Sequence, residues 1–188
     1  RVRYNYGMTK FYTKAGDDGY TGRLGKGRLP KNDPVIEAIG SIDEATAALG
    51  YARAQSDSPA TKKLILEVQR DLYHIMAELS ATEETADQFR VIDEQKLAWL
   101  EESIDSISDK VETPKEFILP GDTLPGGAMS IARSIVRRAE RRVTELYLIN
   151  AFDNPNILPY LNRLSSLCFI LELKENQSVG ITLAKKTD

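Results

Sequence analysis

Four charged residues in one run could do chemistry together. The run is ARSIVRRAERR, Ala132–Arg142. At about 100° per residue, Arg133, Arg137, Glu140 and Arg141 share a helix sector roughly 100° wide. Arg138 and Arg142 fall further round, nearer solvent. The apolar face of the same helix lies directly beside the sector, so its charges border a low-dielectric core, where they act more strongly than in bulk water. Pairs such as Arg137 with Glu140 would make the stripe an ordinary solvated face. Yet Arg137 and Arg141 stand at i,i+4 and repel each other. An anion, or carboxylates from elsewhere, satisfies such a stripe better. Arginine suits phosphate because its planar fork donates several N–H groups at once. The stripe is read as part of a nucleotide triphosphate site.

A second segment has complementary ingredients. Thr13–Thr21 reads TKAGDDGYT. Gly16 and Gly19 permit tight turns that expose backbone N–H groups, which is how loops cradle phosphate. Lys14 adds a positive point charge, and Thr13 and Thr21 add hydroxyls. The segment lacks the GxxxxGK[ST] pattern of a Walker loop and is followed by no strand–helix dinucleotide unit. A plain surface turn has the same composition, so this segment carries weight only beside the arginine stripe.

The elements that must hold these groups are helices. Thr9–Lys31 shows neither helical nor alternating periodicity and reads as a long ordered loop, with a short extended piece at Phe11-Tyr12. Loops of this length are uncommon in compact domains unless functional or disordered. Asp33-Pro34 opens a first helix, with Asp33 as N-cap. Ser58-Pro59 opens a second, and a third follows Asp93. The acidic stretch Glu83–Asp87 between them reads as a polar, mobile loop. A Pro/Gly-rich connector, Thr113–Gly127, precedes the fourth, which carries the stripe. Because Gly126-Gly127 disfavours helix, a late start is expected there. Asn154-Pro155 opens the fifth. Apolar residues recur at helical spacing in all five, for example Leu64, Val68, Leu72 and Ile75. The expected fold is all-α: a five-helix antiparallel bundle with a long ordered N-terminal nucleotide-binding loop. Residues 1–188 read as a single domain, with 1–8 and 177–188 as flexible tails. Met8 can serve as the natural start, with the residues before it an upstream extension.

Composition narrows the function classes. With 25 Lys+Arg against 28 Asp+Glu, the chain lacks the basic surface that nucleic-acid binding requires. No apolar run is long enough to span a membrane. The one cysteine, Cys168, cannot form a disulfide within the chain, and a cytoplasmic location is the simplest reading. Cys168 and the one histidine, His74, both read as structural. A ferritin-like metal bundle needs Glu-x-x-His on two helices; one histidine, preceded by Asp71 at that offset, does not supply it.

The two segments, in this order and with their surroundings, resemble the PduO-type ATP:cob(I)alamin adenosyltransferases, also called corrinoid adenosyltransferases. The matching pieces are TKAGDDGYT, Lys31 in PKND, GSIDE at Gly40–Glu44, FILPG at Phe117–Gly121, ARSIVRRAERR, and NRLS at Asn162–Ser165. The resemblance runs from about Thr9 to Leu171. It implies a homotrimer of five-helix bundles with sites between neighbouring subunits. It implies that ATP is wrapped by Thr13, Lys14, Ala15, Gly16, Thr21, Gly22 and Lys31, and that Arg137, Arg138, Glu140, Arg141 and Asn162 complete the site, mostly from the adjacent chain. Arg137, Glu140 and Arg141 would be the catalytic members. Asp43 would pair with Arg133 across the interface, and Phe117 would close the corrinoid pocket below cobalt. The implied reaction moves the 5′-deoxyadenosyl group of ATP onto cob(I)alamin and releases triphosphate. Mg²⁺ would be held mainly by the ATP phosphates, not by side-chain ligands. A reductase and an adenosylcobalamin-dependent enzyme are the implied protein partners.

Three positions depart from the family pattern: Asp122 after FILPG, Gly126-Gly127, and Ser166 after NRLS. The last two bear more on the corrinoid than on ATP. Ser166 keeps open a second reading, an ATP-binding sensor without corrinoid chemistry, against which the retained Phe117 and FILPG argue.

Overall fold

Four of the five helices begin on a side chain that satisfies an otherwise orphaned backbone N–H. The computed structural model describes residues 12–185. Within them a small hairpin, β1 (Tyr20–Gly22) and β2 (Arg28–Pro30), precedes α1 (Pro34–Gln55), α2 (Pro59–Ser80), α3 (Glu94–Ser108), α4 (Leu124–Leu148) and α5 (Ile157–Asn176). Asp33 accepts from the Val35 N–H at 2.9 Å, Ser58 from Thr61 at 3.3 Å and Asp93 from Lys96 at 2.8 Å. These three starts agree with the sequence expectation.

The fourth start does not. α4 begins at Leu124 and runs straight through Gly126-Gly127, with Thr123 as N-cap accepting from the Gly126 N–H at 2.9 Å. The glycine is there for contact with α5: a Cβ on Gly126 would lie 2.1 Å from Asn176 Oδ1, which itself accepts from the Thr123 hydroxyl at 2.7 Å. Gly126→Ala is therefore expected to cost about 1–3 kcal/mol through overpacking, a drop of several degrees in a thermal melt. The fifth helix starts at Ile157, later than Asn154-Pro155, because Asn154 is turned inward. Its amide donates to Glu78 Oε2 and the Ile92 carbonyl, both at 3.0 Å.

α1 packs on α2 and α4, α5 packs on α4, and α3 leans on α5. The core is built from the periodic positions, among them Ile42, Leu49, Leu72, Val136, Val143 and Leu161. Buried Asp71 accepts from Tyr160 Oη at 2.8 Å and pairs with Lys96 Nζ at 2.7 Å, so this carboxylate serves the core. Burial, followed by the Asp71 charge, raises the Tyr160 hydroxyl pKa far above its usual value. Cys168 is fully buried, and burial pushes its thiol up to about 12, which suits a packing role over a nucleophilic one.

Two ends depart from the sequence expectation. The glycine-rich loop contains the hairpin, in register Tyr20↔Pro30, Thr21↔Leu29 and Gly22↔Arg28. Its turn docks on the C-terminal end of α2, where Leu24 N–H donates to Ser80 O at 3.1 Å and Arg23 donates to Ala81 O at 2.5 Å. After α5 the chain is not a loose tail through residue 185. Leu119 N–H donates to Thr182 O at 2.8 Å, Ala184 N–H donates to Phe117 O at 2.7 Å, and Ile118 and Leu183 form an antiparallel bridge. Asp122 closes this strap, accepting from Thr182 Oγ1 at 2.6 Å and Thr182 N–H at 3.0 Å, and those bonds lower its carboxyl pKa. The Glu83–Asp87 stretch is a turn held by the Thr85 hydroxyl, which donates to Leu24 O at 2.8 Å. The expectations for residues 1–8, for Met8 and for Phe11 lie outside the described residues.

Candidate functional site

The loop is a sequence of tight turns. Lys14 sits in the left-handed region at φ 62°, and Gly19 at φ 84°. Asp17 N–H donates to Lys14 O and Gly19 N–H to Gly16 O, each at 3.2 Å. A non-glycine residue at positive φ is uncommon and costs energy that the surrounding structure must supply. Lys31 is anchored by its N–H to Gly19 O at 2.8 Å, and its side chain runs over Gly16. A Cβ on Gly16 would lie 3.0 Å from the Lys31 ammonium. Gly16 and Lys31, separated in sequence, are thus one feature. Thr13 Oγ1 accepts from the Ala15 N–H at 3.3 Å, and Thr21 and Gly22 form β1.

Sequence reasoning missed Arg28, which ties the loop together. It donates from Nη1 to Asp18 Oδ2 at 2.8 Å, and from Nη2 to Asp18 Oδ1 at 2.7 Å, Ala15 O at 2.6 Å and Tyr20 O at 3.0 Å. Its guanidinium lies over the Tyr20 ring, 5.7 Å from the centroid. Nothing local in GKGR marks it, because its partners are 8 to 13 residues away. Hydrogen bonding to Arg28, then to the Tyr20 N–H, lowers the Asp18 pKa from 3.8 to about 2. A depressed carboxyl pKa stabilises the folded loop above the ordinary value, and that stabilisation is lost as pH falls toward about 2. In a carboxyl-detected NMR titration Asp18 should remain ionised at pH 3; a midpoint near 3.8 would contradict the clamp.

The charged face of α4 divides much as the helical wheel expects. Arg137 is exposed, and its guanidinium has neither ion pair nor hydrogen bond among the described residues. Arg141 donates to Arg137 O at 2.9 Å and also has no carboxylate partner. Glu140 Oε1 accepts from Asn162 Nδ2 at 2.9 Å, joining α4 to α5. Arg133 is half-buried, 5.4 Å from the centroid of the Phe169 ring. Arg138 and Arg142 lie on the more exposed side, as expected, and reach carboxylates there. Arg138 pairs with Glu44, and Arg142 with Glu145 at 2.8 Å and Glu37 at 3.8 Å. Both partners of the Arg138 pair are largely exposed, so Arg138→Ala should cost less than about 1 kcal/mol in a denaturant melt.

No hydrogen bond or ion pair among the described residues links the loop to Arg137, Glu140 or Arg141. Asp43 is exposed on α1 and makes no ion pair with Arg133 in this chain. Phe117 is 89% exposed on the strapped segment, and the adjoining residues Gly121, Asp122 and Leu124 line a cleft of about 750 Å³ with Tyr51, Ile131 and Ile135. Ser166 is exposed one turn beyond Asn162. Buried Glu172 is a further residue the sequence reading missed. Burial raises its carboxyl pKa, against the lowering effect of the Ser130 hydroxyl and the Arg133 charge.

Residues 11–175 match the family model for cobalamin adenosyltransferases. The chain belongs to this family. A corrinoid adenosyltransferase of Bacillus subtilis is 36% identical over 176 residues, covering 92% of this chain and 89% of the relative. The corrinoid adenosyltransferase PduO of Citrobacter freundii is 34% identical over 166 residues, 88% of this chain but only 49% of the relative, so the chain spans about half the length of that protein. Among solved structures, a variant PduO-type ATP:corrinoid adenosyltransferase from Lactobacillus reuteri, complexed with cobalamin and ATP, superposes with a TM-score of 0.86. It is 34% identical, and the match covers 94% of this chain and all of that one. A second variant of the L. reuteri adenosyltransferase, complexed with ATP, gives a TM-score of 0.85. The adenosyltransferase family thus accounts for the five-helix bundle and the glycine-rich start together. Among the described residues no helix is long and apolar enough to cross a membrane.

Proposed function

We propose that this chain is an ATP:cob(I)alamin adenosyltransferase. The cobalt(I) centre of the corrinoid substrate attacks C5′ of ATP, a cobalt–carbon bond forms as the C5′–O bond breaks, and the bond's electron pair leaves with triphosphate. No general base is required. The protein must supply alignment and positive charge on the leaving triphosphate. The carrying observation is that Arg137 and Arg141 present guanidinium groups without carboxylate partners among the described residues, in a chain whose glycine-rich loop also holds Lys31 over Gly16. Relatives at 34% identity that bind ATP and cobalamin support the same reading.

Lys14, Lys31, Arg137 and Arg141 carry the triphosphate charge in this reading. Glu140 and Asn162, fixed to each other, orient the arginine side of the site. Thr13, Ala15, Gly16, Thr21 and Gly22 contribute backbone and hydroxyl donors. Arg138 contributes indirectly, through α1. Mg²⁺ fits as a companion of the ATP phosphates: Asp18 is occupied by Arg28 and Glu140 by Asn162, and Asp17 is the loop carboxylate without a side-chain partner among the described residues. Phe117, exposed and with its carbonyl held by the Ala184 N–H, fills the space below cobalt and keeps water from that face.

The loop and the arginines are joined between chains in a homotrimer, where Asp43 of one chain meets Arg133 of the next. That no hydrogen bond or ion pair among the described residues joins the two halves supports this arrangement. Lys31→Ala and Arg137→Ala should each be inactive alone and recover part of the activity when co-expressed, because mixed trimers rebuild intact sites; no recovery would place both halves in one chain. A cytoplasmic enzyme supplied by a reductase and serving an adenosylcobalamin-dependent acceptor completes the proposal. Phosphorus NMR tests the reaction type: one intact triphosphate should appear per adenosylcobalamin formed. ADP and phosphate as the primary products would sink it.

A further inference from the structure

We propose that Arg28 is the positioning residue of the nucleotide loop: it holds the loop in its ATP-binding shape before ATP arrives and does not itself bind the triphosphate. This rests on the adenosyltransferase reading above. Both terminal nitrogens of Arg28 are committed within the loop, to Asp18 and to the Ala15 and Tyr20 carbonyls. Asp18 in turn accepts from the Tyr20 N–H at 3.2 Å, so Arg28, Asp18 and Tyr20 form one closed unit around the Gly16–Gly19 turn. Arg137 is the contrast. It has the same chemistry and, among the described residues, none of its side-chain donors engaged, as a group awaiting an anion would.

The unit brings Ala15 and Tyr20, which flank the Gly16–Gly19 turn, to one guanidinium. A loop ordered in advance avoids part of the entropy that binding would otherwise cost. Lysine cannot substitute, because a single ammonium lacks the planar fork that spans a carboxylate and two carbonyls. The loop residues around the clamp are mostly exposed and outside the core, so the clamp can be removed without loosening the bundle.

Arg28→Lys and Asp18→Asn in the full chain provide the test, with hydrogen exchange of the ATP-free loop, steady-state kinetics at saturating cob(I)alamin, and thermal melting. The expected result is faster exchange over residues 13–22, an ATP KM raised about tenfold, kcat within about threefold of wild type, and an unchanged melting temperature. The double variant should be no worse than either single one, since both break the same unit. An unchanged ATP KM would overturn the proposal. So would a fall in kcat at constant KM, which would make Arg28 a direct partner of the leaving triphosphate. So would a KM rise that merely tracks a lower melting temperature. If the wild-type chain neither binds ATP nor turns over while the loop still exchanges faster in the variants, the adenosyltransferase reading fails, and this one with it.

Discussion

Arg137→Ala should leave the bundle folded and lower turnover of ATP and cob(I)alamin by about 10²–10³-fold, the range seen when one preorganised donor to a developing negative charge is removed. The structural argument is the side chain's lack of engagement. Arg137 is exposed and its side chain has no hydrogen-bond or ion-pair partner among the described residues, so its removal breaks no described polar contact and leaves no buried group unpaired. Its neighbour sharpens the test. Arg138 is spent on Glu44, so Arg138→Ala should reduce turnover far less. Adjacent arginines with opposite expectations separate a specific site from a general basic surface. Steady-state rates for the two variants, with circular dichroism for the fold, decide it; equal losses would mean that the stripe acts only as bulk charge.

Phe117→Ala should lower adenosylation by roughly 10- to 100-fold while leaving ATP binding unchanged, the equivalent of losing about 1.5–3 kcal/mol of apolar burial. An aromatic ring that is 89% exposed contributes little to the stability of the isolated chain, so its position needs another reason. The backbone around it is held firmly: Phe117 O accepts from Ala184 N–H, and Asp122 grips Thr182. A ring displayed on a fixed segment, a few residues along the chain from a cleft lined by Gly121, Leu124 and Ile131, suits a ligand that arrives from solution. Measuring ATP affinity and cob(I)alamin turnover separately tests the division of roles. A loss of ATP affinity equal to the loss of rate would assign Phe117 to the wrong half of the site.

Much of this architecture is legible in the sequence because it is local. Asp33, Ser58 and Asp93 cap helices through bonds spanning two or three residues, and the 3.6-residue period identifies the core face without tertiary knowledge. What was misread is non-local. Gly126-Gly127 argues for a late helix only until Asn176, 50 residues on, is seen against Gly126. Asn154 looks like the cap, and its Oδ1 does accept from the Asn156 N–H at 2.9 Å, but the helix begins beyond it and its amide is spent on Glu78 and Ile92. Strands of three residues are too short for an alternating pattern to show, and the strap pairs segments some 60 residues apart. The site divides the same way. The wheel separates Arg137 and Arg141 from Arg138 by angle alone, whereas the Glu44 partner of Arg138 and the Arg28 clamp require the folded chain. The family resemblance adds the chemistry, which neither composition nor periodicity contains.

The central claim, that this chain transfers an adenosyl group from ATP to reduced cobalamin, is tested most directly by following the cobalamin absorption spectrum in one anaerobic reaction. The wild-type chain is mixed with chemically reduced cob(I)alamin and Mg-ATP. Conversion of the cob(I)alamin spectrum to that of adenosylcobalamin, faster than in a protein-free control and dependent on ATP, is the expected result. A spectrum that changes no faster than the control would contradict it.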